Sequence, residues 1–106
     1  MKNKFKYGII LPLKETFLKN NAGAVSIFVH EYLKISNLKK DSVVFTSKSK
    51  GPYLVKNTCP IKSDFKFFTN LNYIKSIVKN SNFKNLYHVE IHNRPYYAEY
   101  LIKNNI

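Results

Sequence analysis

Tryptophan is absent from this chain, cysteine occurs once, at Cys59, and arginine once, at Arg94. A lone cysteine excludes an intrachain disulfide and any multi-cysteine metal site, and it fits a reducing, cytoplasmic setting. Acidic side chains are also scarce, six against eighteen basic ones, which gives a formal charge of +12. That balance raises nucleic acid as a partner. The near-absence of arginine argues against it, because nucleic-acid binders keep arginine for bidentate phosphate and base contacts. The lysines are scattered along the chain among many Asn and Ile residues, as in a sequence drifting toward A/T-rich codons. Lysines so spread read as a solvated surface, one that still suits anionic lipid or anionic substrates. With three glycines in all, the Gly-x-Gly-x-x-Gly pattern of nicotinamide and flavin enzymes is missing. No apolar run is long enough to cross a membrane. The first such run, residues 7–11, follows a basic head but is short and stopped by Pro12, with no small-residue cleavage site after it. It reads as a buried strand rather than a signal peptide.

What is present is enough apolar material for a core: 44% of the 106 residues are hydrophobic and 15% aromatic. That suits one domain or part of one and excludes disorder. Residues 5–11 read as a strand buried on both faces, and 13–23 as a long loop of the kind that often carries function. Ala24, Val25, Phe28, Val29, Tyr32 and Leu33 make one apolar stripe and predict a helix over 24–35. Residues 43–46 predict a second strand and 53–55 a short third one, with 58–66 irregular. A second helix is expected over 71–79, capped by Asn70, a fourth strand over 86–91 and a last helix over 96–103. Strands alternating with amphipathic helices imply a parallel, Rossmann-like α/β sheet covered on both faces.

The chemistry-bearing residues gather around residues 86–97. Tyr87, Val89 and Ile91 alternate with His88, Glu90 and His92, and Asn93-Arg94-Pro95 then turns the chain into a helix. In a sheet of order 3-2-1-4 the loops after the first and fourth strands open into one crevice, at the switch point where such sheets hold ligands. Gly23, followed by Ala24, opens the first helix, where a backbone without a side chain lets phosphate approach the helix N–H groups. His92 suits proton donation or substrate positioning, or simple loop capping. Arg94, kept in a lysine-rich chain, suggests a need for a planar fork, toward an anionic ligand or toward Glu90 or Glu99. Lys14 and Glu15 are candidates for acceptor contacts. His88 reads as packing against a helix. No set of residues suggests a metal site.

Asn21-Ala22-Gly23-Ala24-Val25 after the first strand and its loop, with Val89-Glu90-Ile91-His92-Asn93-Arg94-Pro95 before the last helix, resembles the N-terminal domain of family-4 glycosyltransferases, enzymes of the GT-B fold. The likeness spans nearly the whole chain. It implies a partial N-terminal, acceptor-side domain over 1–106, with the donor-binding C-terminal domain absent and the piece inactive alone. It implies a nucleotide-sugar donor, a glycan or lipid-linked acceptor, retention of configuration, no metal or other cofactor, and a cytoplasmic place, peripheral to the inner face of the membrane. By residue match Gly23 would lie near the donor diphosphate and His92 near the donor sugar, with Ala24, Asn93 and Arg94 beside the cleft. The paired glycines of many members are Ala22-Gly23 here. If the domain is partial, the strand over 86–91 is expected at an exposed, apolar sheet edge. The alternative reading is a small basic α/β module that binds nucleic acid or another anionic partner.

Overall fold

The computed structural model describes residues 5–104 and 106. The basic head of the signal-like stretch, residues 1–4, and Asn105 lie outside the described residues. The chain runs through β1 (Tyr7–Ile10), a small hairpin of β2 (Phe17–Leu18) and β3 (Asn21–Ala22), α1 (Ala24–Ile35), a 3-10 turn (Lys39–Asp41), β4 (Ser42–Ser47), β5 (Thr58–Ile61), α2 (Thr69–Lys79), β6 (His88–Ile91) and α3 (Pro95–Lys103). The main sheet has the order β5-β4-β1-β6. Every pair in it is parallel, with Tyr7 opposite Ser42 on one side and His88 on the other. In terms of its own strands this is the expected 3-2-1-4 order, and the fold is Rossmann-like α/β.

Alternation along the inner strands sends side chains to two cores. Ile10, Val43, Phe45, Cys59 and Ile61 meet Tyr73, Ile74 and Ile77 of α2 and Tyr97 and Leu101 of α3. On the other face Ile9, Leu11 and Val44 meet Val29 and Leu33 of α1. Both faces are thus covered, and β4 is buried at five consecutive positions, as a strand between two helix layers must be. Gly8 is where Phe45 and Leu86 close over β1: a Cβ there would stand 2.7 Å from Leu86 Cδ1 and 3.2 Å from Phe45 Cε2.

Four local expectations need correction. The third strand is β5, not residues 53–55; Pro60 within it is tolerated because β5 is an edge strand whose outer backbone groups need no partner. The long loop 13–23 is folded as the β2–β3 hairpin and ties back to residues 52–54 through Lys19 N–H to the Pro52 carbonyl and Leu54 N–H to the Phe17 carbonyl. Phe28, expected in the buried stripe of α1, is 60% exposed, and Ser26 takes the buried position instead. At α2 the N-cap is Phe68, in the left-handed region at φ 50, ψ 49. For a bulky L-residue that conformation costs about 1–2 kcal/mol.

The expected open edge is present. β6 ends the sheet, and beside it lies a groove of about 720 Å³ with Phe83, Leu86, Val89, Ile91, Leu101 and Ile102 in its walls.

Candidate functional site

The 3-2-1-4 order places the loop after β1 opposite the loop after β6. A cleft of about 360 Å³ opens between them, lined by Pro12, Lys14, Glu15, Val25, Asn93 and Arg94. Four of the residues singled out in the sequence therefore meet in one place.

The loop after β1 is held by two buried tyrosines whose hydroxyl roles sequence reading missed, since in a helical stripe a tyrosine looks like any other core residue. Tyr73 donates its hydroxyl hydrogen to the Leu11 carbonyl at 2.9 Å. The Tyr97 hydroxyl accepts from Leu13 N–H at 3.2 Å and donates to Asn70 Oδ1 at 2.8 Å. Their rings are 5.7 Å apart and tilted by 53°, and Ser47 Oγ donates to the Leu13 carbonyl. Three side chains from three elements thus hold residues 11–13 and aim Lys14 and Glu15. Asn70, expected as a cap for α2, serves as the acceptor for Tyr97.

Burial, and then the neighbouring Tyr97, push the Tyr73 hydroxyl well above the ordinary tyrosine range. Burial raises Tyr97 too, against the Leu13 N–H and the Arg94 guanidinium, which act the other way. The native state holds both protons where the unfolded chain releases them, so this contribution is complete below the ordinary tyrosine pKa and is lost above it. Unfolding free energy is expected to fall as pH rises past about 10. Tyr73→Phe should flatten that fall, read from urea unfolding at several pH values; an unchanged slope would remove Tyr73 as its source.

Gly23 caps α1 with φ −74, ψ 173, a conformation open to any residue. What glycine provides is space. A Cβ would collide with the Glu15 carboxylate, whose Oε2 accepts from Ser26 N–H at 2.9 Å. The positive end of α1, where phosphate was expected, is therefore met by a carboxylate from the chain's own loop. The Ser26 hydroxyl, in the same first turn, is buried without a hydrogen-bond partner. Glu15→Ala and Gly23→Ala should each cost about 1 kcal/mol of stability through loss of this cap. Because both remove one interaction, their double mutant should cost clearly less than the sum; additive losses in urea unfolding would refute the link.

Ala24 is exposed at the first position of α1. Asn93 takes φ 56, which asparagine tolerates, and Arg94 rather than Asn93 is the N-cap of α3. Arg94 is exposed and forms no ion pair with Glu90 or Glu99 among the described residues. Glu90 faces His92 instead, Oε1 to Nε2 at 3.3 Å, and the His92 ring lies 6.0 Å from that of Phe28. His92 is thus not among the residues that line the cleft, and the exposed Phe28 ring turns toward this loop. His88, expected against a helix, is exposed at the rim of the β6 groove.

Among the described residues no group of three or more His, Cys, Asp or Glu is placed to hold a metal ion, and no helix is long and apolar enough to cross a membrane. Fold and cleft together define an open Rossmann-like sheet with its polar crevice at the topological switch point. No family model, curated protein or solved structure matches the chain.

Proposed function

We propose that this chain forms part of the acceptor-side domain of a GT-B glycosyltransferase resembling family 4, transferring sugar from a nucleotide-sugar to a glycan or lipid-linked acceptor with retention. The observation that carries the reading is the switch-point cleft, where Lys14 and Glu15 of the loop after β1 face Asn93 and Arg94 of the loop after β6.

In this reading Arg94 and Lys14 supply positive charge toward a departing diphosphate, with donors fixed before the reaction rather than recruited during it. His92, oriented by Glu90, lies near the donor sugar and helps to position it. Glu15 occupies the α1 N-terminus until a more highly charged diphosphate displaces it, and Gly23 leaves room for either group. In this reading a donor-binding domain supplies the other half of the cleft, and the β6 edge with its groove offers a place for a further strand.

The test begins with the DNA beyond the Ile106 codon. A frame continuing into a second Rossmann-like domain, whose product moves labelled sugar from a nucleotide-sugar panel to lipid or glycan acceptors, is the expected result. A product that neither transfers nor hydrolyses any of those donors would overturn the reading.

A further inference from the structure

The two edges of the sheet are built differently. At β5 the Asn57 carbonyl accepts from Val44 N–H at 3.0 Å and the Ile61 carbonyl from Lys48 N–H at 2.9 Å. Odd-numbered residues there face β4, so Thr58 and Pro60 face outward. Pro60 has no N–H to offer, which makes that edge a poor template for another strand. At β6 the Lys6 carbonyl accepts from His88 N–H at 3.4 Å and the Ile10 carbonyl from His92 N–H at 3.3 Å. Here the even-numbered residues face β1, and Val89 and Ile91 turn their N–H and C=O groups out of the sheet. β6 contains neither proline nor lysine, the residues that commonly guard an edge.

Apolar surface runs along the same edge. Tyr87 and Ile102, 80% and 75% exposed, stand in the wall of the groove beside β6. A strand added to β6 would cover this surface and satisfy the outward backbone groups together.

The sequence of β6 itself selects the strand. With two copies antiparallel about a two-fold axis at Val89, each Val89 faces its counterpart and exchanges both N–H···O bonds with it. His88 of one copy then stands opposite Glu90 of the other, in the close, non-hydrogen-bonded position, so a donor ring meets a carboxylate. On the groove face Tyr87 meets Ile91 of the other copy, an aromatic ring against a β-branched side chain. Other registers lose these pairs. An axis at Glu90 sets two carboxylates against each other. An axis at His88 sets the two imidazoles together and leaves Glu90 facing Leu86. An axis at Ile91 sets Val89 against Asn93, whose φ of 56° ends the strand.

We propose that β6 is a self-pairing edge, through which two copies of this chain join antiparallel at Val89 into one continuous sheet. The pairing is closed: it uses the same edge twice and leaves outside only the β5 edges with Pro60. The inference does not rest on the transferase reading. A longer chain that laid its own strand along β6 would leave no edge to pair, so the 106-residue chain is the one to measure.

The test is sedimentation velocity of that chain over a wide concentration range, with amide exchange read alongside. A reversible monomer–dimer equilibrium is expected, with Val89 N–H protected in the dimer and exchanging freely on dilution. His88→Glu, which puts like charges opposite one another twice per dimer, should weaken association roughly tenfold. Adding Glu90→Lys to it should restore association, because the pair is then reversed rather than lost. Val89→Pro should weaken association roughly tenfold or more, since it removes an outward N–H that β1 does not use. Ile35→Ser, on the exposed side of α1, should change nothing. Far-ultraviolet spectra and thermal transitions check that each variant is folded, and the charge pair decides the matter if Val89→Pro is not. A monomer at every concentration, an open series of larger species, or a dimer indifferent to His88→Glu would overturn the proposal. So would a charge-swapped pair that stays as weak as His88→Glu alone.

Discussion

In an enzyme that contains this domain, His92→Ala is expected to lower turnover by roughly a hundredfold or more, the usual scale for removing a positioned acid–base or polar group. The side chain is partly buried, but its contacts are few: Glu90 at 3.3 Å and the Phe28 ring at 6.0 Å. Its loss should therefore leave the unfolding transition nearly in place, so a fall in kcat reports on the site and not on folding. The contact between His92 and Glu90 makes a sharper statement possible. If the imidazole acts by reaching the donor sugar, Glu90→Gln should reproduce part of the His92→Ala defect, because Glu90 is the group that orients the ring. Turnover unchanged in His92→Ala would remove it from the site and leave Lys14 and Arg94 as the remaining candidates.

Phe45→Ala is expected to destabilise the chain by about 3–5 kcal/mol, the range for truncating a fully buried aromatic. Phe45 is 0% exposed, packs with its ring centroid 6.0 Å from that of Phe83, and lies over the bare backbone of Gly8. The neighbouring strand β1 offers no side chain at Gly8 to fill the space, so closing the gap would require Leu86 or Phe83 to move. A domain of this size has about 5–15 kcal/mol in total, so the loss takes a large share of the stability and should lower the melting temperature by many degrees. Urea unfolding gives the number, and a loss under about 1 kcal/mol would mean that the core closes around the gap more freely than its packing suggests.

The large elements were legible because their patterns are uninterrupted. The stripe over Ala24–Ile35 gave α1 its bounds, the unbroken apolar run of β1 announced a strand covered on both faces, and the β-branched and aromatic residues 43–46 marked β4. The cleft followed from topology, since a 3-2-1-4 order brings two loops together whatever they contain. What stayed hidden had local physics that runs against its sequence. β5 carries a proline and reads as a break, yet at a sheet edge that proline costs no ladder bond. Phe28 sits at a core position of the helical period and turns outward toward His92, which depends on a loop far along the chain. Glu15 read as a loop residue available for acceptor contacts. Only the folded hairpin of β2 and β3 returns it to the start of α1, and Gly23, read as room for a phosphate, proves to give room to that carboxylate.

The position of β1 also has a consequence for how the protein is made. In the finished sheet β1 is internal, paired with β4 on one side and β6 on the other. Its two partners are synthesised far apart in time. β4 can join as soon as α1 has crossed over, whereas His88–Ile91 must wait for α2 and its flanking loops. Closing that long loop is the slow, entropically costly contact of the fold. Until it closes, Tyr-Gly-Ile-Ile presents an unpaired apolar edge, the kind of edge at which unfinished chains associate.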